Sequence, residues 1–250
     1  MTDIPARLAA LREPAPTHLV PEVLGRLGLA ARYVTLPSAL GPVFVAFTNG
    51  GVSRVDLADD PERFAAAYRQ RFGREVAAAV ALPPRLAAAV DRALAHGRTR
   101  GVPVDPAGLS EFQAAVLQLA ASIPPGEVRP YGWVAREIGR PGSDRAVGNA
   151  LAGNPVPLVV PCHRVVRADG RFGRYSLGAD QNKRLLLGAE GLAVEEYEAL
   201  AGRGVRYLGS DTTGIYCHPT CRHARRITAK HRVEFCSSAE AARAGFRPCR

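Results

Sequence analysis

The sequence predicts an α/β fold, more strictly α+β, built from three parts along 250 residues. Three observations predict it: an apolar hairpin pattern near residue 50, a series of short helices after residue 105, and cysteines clustered near residue 220 and beyond. We therefore divide the chain into a small α/β N-terminal domain (1–104), a helical, winged-helix-like domain (105–200) and a small cysteine-rich module (203–250).

The composition indicates an ordinary globular protein. Apolar residues make up 47% of the chain and charged residues 22%, which excludes a wholly disordered chain. The five cysteines are too few for a disulfide-dense secreted scaffold. The N-terminus lacks the apolar region of a signal peptide, and no run of about 18 apolar residues suits a membrane span. We therefore expect a cytoplasmic protein with reduced thiols.

The formal charge of +10 is concentrated in two blocks, residues 129–184 and 203–250. Their basic surpluses are six and seven charges. This distribution suits a polyanionic partner, because neutralising phosphates releases condensed counterions. An alternative is codon bias, since 31 of the 33 basic residues are Arg.

In the first domain, residues 1–33 resemble a short helical lead-in. Residues 42–48 and 52–57 predict a β-hairpin, and we expect Asn49-Gly50 to supply the positive φ angles of its turn. Asp60 and Pro61 predict a helix start, with the helix running to about Phe72.

A second helix is predicted over 84–96, ending near Gly97, and the Gly- and Pro-containing stretch 99–108 predicts a linker. Ser110 is expected to cap a further helix, which Pro124 stops. Short helices follow at 131–139 and after a predicted cap at Ser143. Two short helices with a tight break are compatible with a helix-turn-helix, or with an ordinary helical hairpin.

Cys162 is the candidate nucleophile. We predict a short apolar strand at 158–160 that leads into Pro161 and Cys162. His163 and Arg164 follow directly, and a nearby imidazole and guanidinium would lower the pKa of the thiol. Adjacent side chains on a strand point to opposite faces, so His163 can assist only if the backbone turns there. The alternative is a small buried core cysteine.

The sequence NPVPLVVPCHRVVRADG, followed by YSLG and KRLLLGAEG, resembles the active-site region of the O6-alkylguanine-DNA alkyltransferases. The similarity begins upstream at SEFQAAVLQLAASIPPGEVRPYGWVAREIG, continues through DRAVGNALAGN, and covers roughly residues 105–192. It implies double-stranded DNA as the partner, no organic cofactor, and a monomer.

The resemblance assigns the catalytic residues. It makes Cys162 the acceptor of a methyl or alkyl group from O6-alkylguanine, or O4-methylthymine, in a reaction that is not turned over. His163 would draw the thiol proton through a water, and Glu190 would hold the imidazole. Asn154 would orient the active-site turn, and Tyr131 would protonate the leaving guanine.

The resemblance also assigns DNA contacts and a pocket. Arg145 would enter the base stack in place of a flipped nucleotide, because the O6 group cannot reach a buried thiol while the base stays stacked. Ala146 and Tyr131 belong to the same DNA-contacting set. The pocket residues are Tyr175, Ser176 and Val165.

Two positions depart from the family pattern near this pocket. Arg174 stands where a small residue is more frequent, and Leu177 where Gly is frequent. We expect a narrow pocket that favours methyl over benzyl groups.

Cys217, Cys221 and Cys249 have the spacing of a small zinc module. The segments DTTGIYCHPTC and AEAARAGFRPC resemble the zinc-binding methylphosphotriester-acceptor domain of the Ada adaptive-response regulator. The resemblance makes Cys217 a possible second methyl acceptor. That domain's fourth ligand is a cysteine shortly after the position of Cys249, and this sequence ends at Arg250.

Several residues remain candidates for the fourth ligand: Cys236, His218, His223 and His231. Replacing a thiolate by imidazole removes negative charge and lowers sulfur nucleophilicity. We therefore favour structural zinc over efficient phosphotriester repair.

Three other functions stay open at this point. A non-catalytic lesion-binding protein would lack the acceptor cysteine, whereas Cys162 is present. A cysteine hydrolase would need a distant His and an Asn or Asp orienter. A zinc-dependent regulator would act through residues 203–250.

Overall fold

The computed structural model describes Val23, Gly25, Leu27, and residues 30–178 and 180–249. Most of the predicted lead-in helix over 1–33 lies outside these residues. Its last part is wrong, because Ala31 already begins a β-strand. The elements of the first domain are β1 (Ala31–Ser38), β2 (Gly41–Thr48), β3 (Gly51–Leu57), α1 (Pro61–Phe72), β4 (Val76–Ala78) and α2 (Pro84–His96).

The four strands form one sheet in the order β3-β2-β1-β4, antiparallel except for the parallel pair β1 and β4. Alternate residues of β2 enter two different cores. Phe44 packs in the core that includes Phe64 of α1, and Val45 packs in the core that includes Leu86 of α2. Because both faces of β2 are covered, its sequence is continuously apolar instead of alternating.

The predicted hairpin is confirmed, but its turn differs. The positive φ lies at Gly51 (133°), and neither Asn49 nor Gly50 has one. Val52 N donates to the Pro103 carbonyl at 2.9 Å. A Cβ on Gly51 would lie 2.4 Å from that carbonyl oxygen, so the close approach of the predicted linker requires glycine here.

Most predicted helix ends are confirmed. Asp60 caps α1 by accepting from the backbone N–H groups of Glu62 and Arg63, and Gly97 ends α2 with φ 63°. Ser110 caps the next helix. The predicted cap at Ser143 is wrong, because its hydroxyl donates to the Arg140 carbonyl and makes no cap hydrogen bond.

The helical part packs directly against the first domain. Its elements are α3 (Glu111–Ser122), β5 (Arg129–Pro130), α4 (Tyr131–Glu137), α5 (Asp144–Ala152), a 3₁₀ turn (Cys162–Arg164), β6 (Val165–Val166), α6 (Asp180–Ala189) and α7 (Val194–Gly202). Helices α4 and α5 pack together against α3, and β5 pairs with β6. One apolar core joins Val45 and Leu86 of the first domain to Val116 and Leu151 of the second.

The C-terminal part is a small sheet with one short helix. Its elements are β7 (Tyr207–Ser210), β8 (Ile215–Cys217), two 3₁₀ turns (Ala224–Arg226 and Ala229–His231), β9 (Arg232–Phe235), α8 (Ser238–Arg243) and β10 (Arg247–Pro248). The strand order is β10-β8-β7-β9. Across the part of the chain that the structure describes, no helix combines the length and apolar character that crossing a membrane requires. The mixed fold with three parts agrees with the predicted fold class.

Candidate active site and metal centre

Cys162 follows a tight turn and not a strand. The predicted strand at 158–160 is wrong: Pro157 and Val160 pair around a turn in which Leu158 has φ 69°. Asn154 closes this turn. Its Nδ2 donates to the Val160 carbonyl at 3.1 Å, and its Oδ1 accepts from Val156 N at 3.0 Å. The amide therefore holds the turn that precedes Cys162.

The backbone turns at Cys162, which is the condition under which His163 can assist the thiol. Residues 162–164 form one 3₁₀ turn, which directs His163 to Glu190. His163 Nε2 lies 2.8 Å from Glu190 Oε1, and both side chains are buried. A carboxylate only accepts, so Nε2 carries the proton and Nδ1 is left as the basic nitrogen. Within the described residues, the buried Nδ1 has no hydrogen-bond partner.

Burial lowers the pKa of His163, and the hydrogen bond to Glu190 opposes this only in part. The imidazole is therefore neutral at pH 7 and able to accept a proton. Burial alone would raise the pKa of Glu190, but hydrogen bonds from His163 and Arg164 outweigh it and lower that pKa to about 2. Glu190 is thus ionised at neutral pH and holds the imidazole of His163 in one orientation.

Arg164 does not act on the thiol as predicted. Its guanidinium donates to Glu190 at 2.7 and 2.9 Å and to the carbonyls of Ile123 and Gly97, each at 2.5 Å. Burial raises the pKa of Cys162, although a hydrogen bond with Asn154 partly opposes it. The expected lowering of the thiol pKa is therefore wrong, and the resting thiol is neutral.

Sequence reasoning missed Lys183. Its Nζ donates to the carbonyls of Val165 and Phe172, both at 2.6 Å, and burial lowers the pKa of this side chain to about 8. Its charge also favours the thiolate of Cys162. A sequence signal exists: Lys183 precedes Leu187 by four residues and so lies on the buried face of α6.

Four predicted residues lie around Cys162. Tyr131 begins α4, and burial and the negative charge of a Cys162 thiolate both raise the pKa of its phenol. Tyr175 packs edge-on against His163, with ring centroids 6.1 Å apart. Ser176 is exposed and lies close enough to Cys162 to lower the pKa of the thiol. Val165 is fully buried in β6.

Arg145 and Ala146 lie in the first turn of α5, and both are exposed. Among the described residues, the exposed Arg145 side chain has no hydrogen-bond or ion-pair partner. Its contact with DNA stays a prediction. Arg174 is exposed, and Leu177 is buried in the same apolar core as Cys162. The preference for methyl over benzyl groups stays a prediction.

The sulfur atoms of Cys217, Cys221 and Cys249 lie within 4.8 Å of one another, and no fourth His, Cys, Asp or Glu joins this group within the described range. A hydrogen bond from Cys217 lowers the pKa of Cys221 to about 5 and raises that of Cys217. Three converging thiols match the soft donor set that zinc prefers.

The candidate fourth ligands separate into two groups. His223 and His231 line a cavity of about 590 Å³ together with Cys217 and Cys249. His231 Nδ1 lies 2.9 Å from Asp211 Oδ1. His218 and Cys236 instead line a cleft beside α4.

Comparison with known proteins gives two matches, one over the part of the chain that contains Cys162 and one over the part that contains the cysteine cluster. The family profile described as 6-O-methylguanine DNA methyltransferase, DNA binding domain, matches residues 111–192. The profile described as metal binding domain of Ada matches residues 195–250. The second match begins before residue 203, where we placed the module.

Relatives were found among curated proteins. A methylated-DNA–protein-cysteine methyltransferase of Mycolicibacterium paratuberculosis is 49% identical over 77 residues, 31% of this chain and 47% of that protein. The bifunctional transcriptional activator/DNA repair enzyme Ada of Escherichia coli is 31% identical over 164 residues, 65% of this chain and 46% of that protein. The chain thus matches about half the length of these curated relatives.

Among solved structures, the crystal structure of Mycobacterium tuberculosis OGT in complex with DNA has a TM-score of 0.51 and 30% identity. The match covers 66% of this chain and 98% of that one. Together these similarities define a class, the DNA-binding methyltransferases with an acceptor cysteine. The chain belongs to the O6-methylguanine DNA methyltransferase family, and an Ada-type zinc-binding module follows its DNA-binding domain.

Proposed function

We propose that this chain repairs DNA by transferring a methyl or other alkyl group from O6-alkylguanine, and from O4-methylthymine, to Cys162 in a single turnover. The observation that carries the proposal is the buried pair of His163 and Glu190 directly beside Cys162. A neutral thiol next to a neutral, oriented imidazole is suited to deprotonation at the moment of attack.

In the proposed step, a bond forms between Cys162 Sγ and the alkyl carbon as the bond from that carbon to guanine O6 breaks. The thiol proton passes to His163 Nδ1 through water. Tyr131 gives a proton to the leaving guanine and recovers one from the solvent side. The products are a thioether on the protein and unmodified guanine, and the side chain of Arg145 fills the stack while the base is flipped out.

The zinc module has a second candidate role. The cavity beside Cys217 and Cys249 is also lined by Arg226 and Arg247, which suits a DNA phosphate. Zinc, when bound, keeps thiolates ionised at neutral pH. We propose a structural role for the metal, with methyl transfer to Cys217 as the alternative.

One experiment separates these functions. The full-length chain is incubated with duplex DNA carrying labelled O6-methylguanine or labelled methylphosphotriesters, and the labelled peptide is mapped. We expect label from O6-methylguanine on Cys162 and none on a Cys162→Ser variant. Label on Cys217 from phosphotriesters would establish the second activity. Failure to label Cys162 would reject the proposal in favour of a non-catalytic lesion-binding or regulatory protein.

We further infer that the protein acts in the cytoplasm as a monomer. Reducing conditions there would keep the thiols of Cys162 and the zinc module available for transfer and metal binding.

A further inference from the structure

A cleft of about 260 Å³ lies between helix α4 and the zinc module. Its walls come from both basic blocks of the sequence. The block at 129–184 contributes Arg136 and Arg167, and the block at 203–250 contributes Arg206. Among the described lining residues, Asp144 is the one carboxylate, so the cleft is positively charged overall.

The module is held in place by buried hydrogen bonds. The Thr220 hydroxyl accepts from Val128 N at 2.9 Å and lies 3.3 Å from the Val128 carbonyl, and Thr220 is only 2% exposed. The buried Glu127 carboxylate accepts from Arg222 N at 3.1 Å. These contacts fix the module against β5, so the cleft is formed by packed elements and not by a loosely tethered domain.

The arginines of the cleft keep donors available. Arg136 is exposed and forms no ion pair with any of the described residues. Arg167 pairs with Asp169 at 3.0 Å in an exposed arrangement, which contributes little and exchanges readily with another anion. Arg206 uses Nη1 on the carbonyls of Ala201 and Val205, which orients the guanidinium.

The cleft adjoins the proposed reaction site. Pro130, Gly132 and Trp133, which flank Tyr131 in sequence, line it. Arg167 lies close enough to Tyr131 to favour its ionised form. The cleft therefore begins beside the residue that is expected to contact the flipped base.

We propose that this cleft binds the phosphate backbone beside the lesion, so that helices α4 and α5 and the zinc module form one continuous DNA-binding surface. The inference rests on the proposed function for the identity of the polyanion as duplex DNA. It assigns a shared role to the two basic blocks, which are separated in sequence by the acidic stretch 185–201.

The test is a salt titration of binding to a fluorescein-labelled, undamaged duplex by fluorescence anisotropy. The full-length, zinc-loaded chain is compared with Arg136→Gln, Arg206→Gln and a control, Arg63→Gln. Arg63 is exposed on α1 and does not line the cleft. We expect each cleft variant to bind more weakly, with a log–log salt slope shallower by about 0.9 for each lost phosphate contact. The control should match the wild type.

A second measurement separates binding from folding and from chemistry. Transfer from free O6-methylguanine to Cys162 needs no phosphate contact, and its rate should be equal in all four proteins. Unchanged affinity and slope in both cleft variants would overturn the inference. Absence of any transfer to Cys162 from O6-methylguanine in duplex DNA by the wild type would reject the proposed function instead, and the salt-slope comparison would still decide the cleft.

Discussion

At the residue scale, Glu190 connects two side chains that are adjacent in sequence and have different tasks. His163 and Arg164 both donate to it, and Gly126 N donates to the same carboxylate at 3.1 Å. With a pKa of about 2, it is ionised throughout the physiological range. The same carboxylate therefore orients the proposed base and neutralises a buried guanidinium.

This arrangement predicts a pH-dependent stability. The folded pKa of Glu190 lies below the unfolded value of about 4.3. Its contribution is therefore present above about pH 4.3 and is lost as the pH falls towards 2. The shift corresponds to about 3 kcal/mol. In urea unfolding, the stability difference between wild type and Glu190→Gln should shrink between about pH 6 and about pH 3.

The control for this prediction is Glu195→Gln. Glu195 is exposed on α7 and forms no ion pair within the described part of the chain. The free energy of unfolding of Glu195→Gln should equal that of the wild type at every pH measured. A constant difference between Glu190→Gln and wild type across the pH range would contradict the assignment of this carboxylate as the titrating group.

These residues show which contacts could be predicted from the sequence and which could not. The resemblance assigned His163 and Glu190 together, and they do meet. Arg164 was expected to act on its neighbour Cys162, but its partners are Glu190, Ile123 and Gly97, which lie 26, 41 and 67 positions away. Side-chain contacts over such separations depend on the packing of three elements, and a local sequence pattern does not contain them.

At the element scale, the C-terminus of α2 reaches the proposed active site. Gly97 ends this helix with φ 63°, and its carbonyl accepts from Arg164 at 2.5 Å. A Cβ at this position would lie 2.5 Å from Glu190 Oε1 and 2.7 Å from Arg164 Nη2. The glycine is therefore required both by the backbone conformation and by the side chains next to it.

Gly97→Ala and Gly73→Ala form a matched pair. Gly73 ends α1 in the same conformation (φ 65°), with no atom within 4 Å of its Cβ position. Gly73→Ala should cost about 1 kcal/mol from the left-handed backbone alone. Gly97→Ala should cost more and should also slow alkyl transfer to Cys162. Thermal unfolding measures the loss of stability, and single-turnover labelling measures the rate of transfer to Cys162. Equal stability losses and equal transfer rates in the two variants would argue against a contact between Gly97 and the proposed active site.

The caps at Asp60 and Ser110 could be predicted from the sequence, but the turn before Cys162 could not. Asp60 and Ser110 cap through bonds to residues two or three positions away, so their signals are local. The segment 158–160 is apolar and resembles a strand. It forms a turn because the amide of Asn154 bonds Val156 and Val160 around it, with prolines on both sides.

At the scale of the whole molecule, the zinc module and the second domain are joined through Val128 and Thr220. Zinc binding and folding are coupled in small modules of this kind. The stability of the module should therefore depend on the metal. Backbone groups of the second domain that hydrogen-bond the module, such as the Val128 N–H, should become less protected when the metal is removed.

Chelation should produce a confined loss of protection in hydrogen exchange. We expect faster exchange across β7 to β9 and at the Val128 amide, whose acceptor is Thr220. The Val147 amide in α5 bonds Ser143 and should stay protected. Unchanged exchange in the module after zinc removal would contradict structural zinc. Loss of protection at Val147 would contradict a separately folding module.

Sequence spacing was sufficient to predict the three converging thiols, because Cys217, Cys221 and Cys249 lie in segments with a recognisable motif. It was not sufficient to predict how the three parts pack. The apolar residues of β2 predict a buried strand, but the pattern does not specify that it shares one core with Val116 and Leu151 of another part. The boundaries near residues 104 and 203 stay predictions.

The carbonyl that Gly97 offers to Arg164 has an evolutionary consequence. A first domain exchanged by recombination would bring a different helix end to this position, and the guanidinium would lose an acceptor within a buried ion pair. Replacing the N-terminal domain is therefore expected to remove a hydrogen-bond acceptor of Arg164. Chimeras with other N-terminal domains should retain activity only where a backbone oxygen is restored at this place.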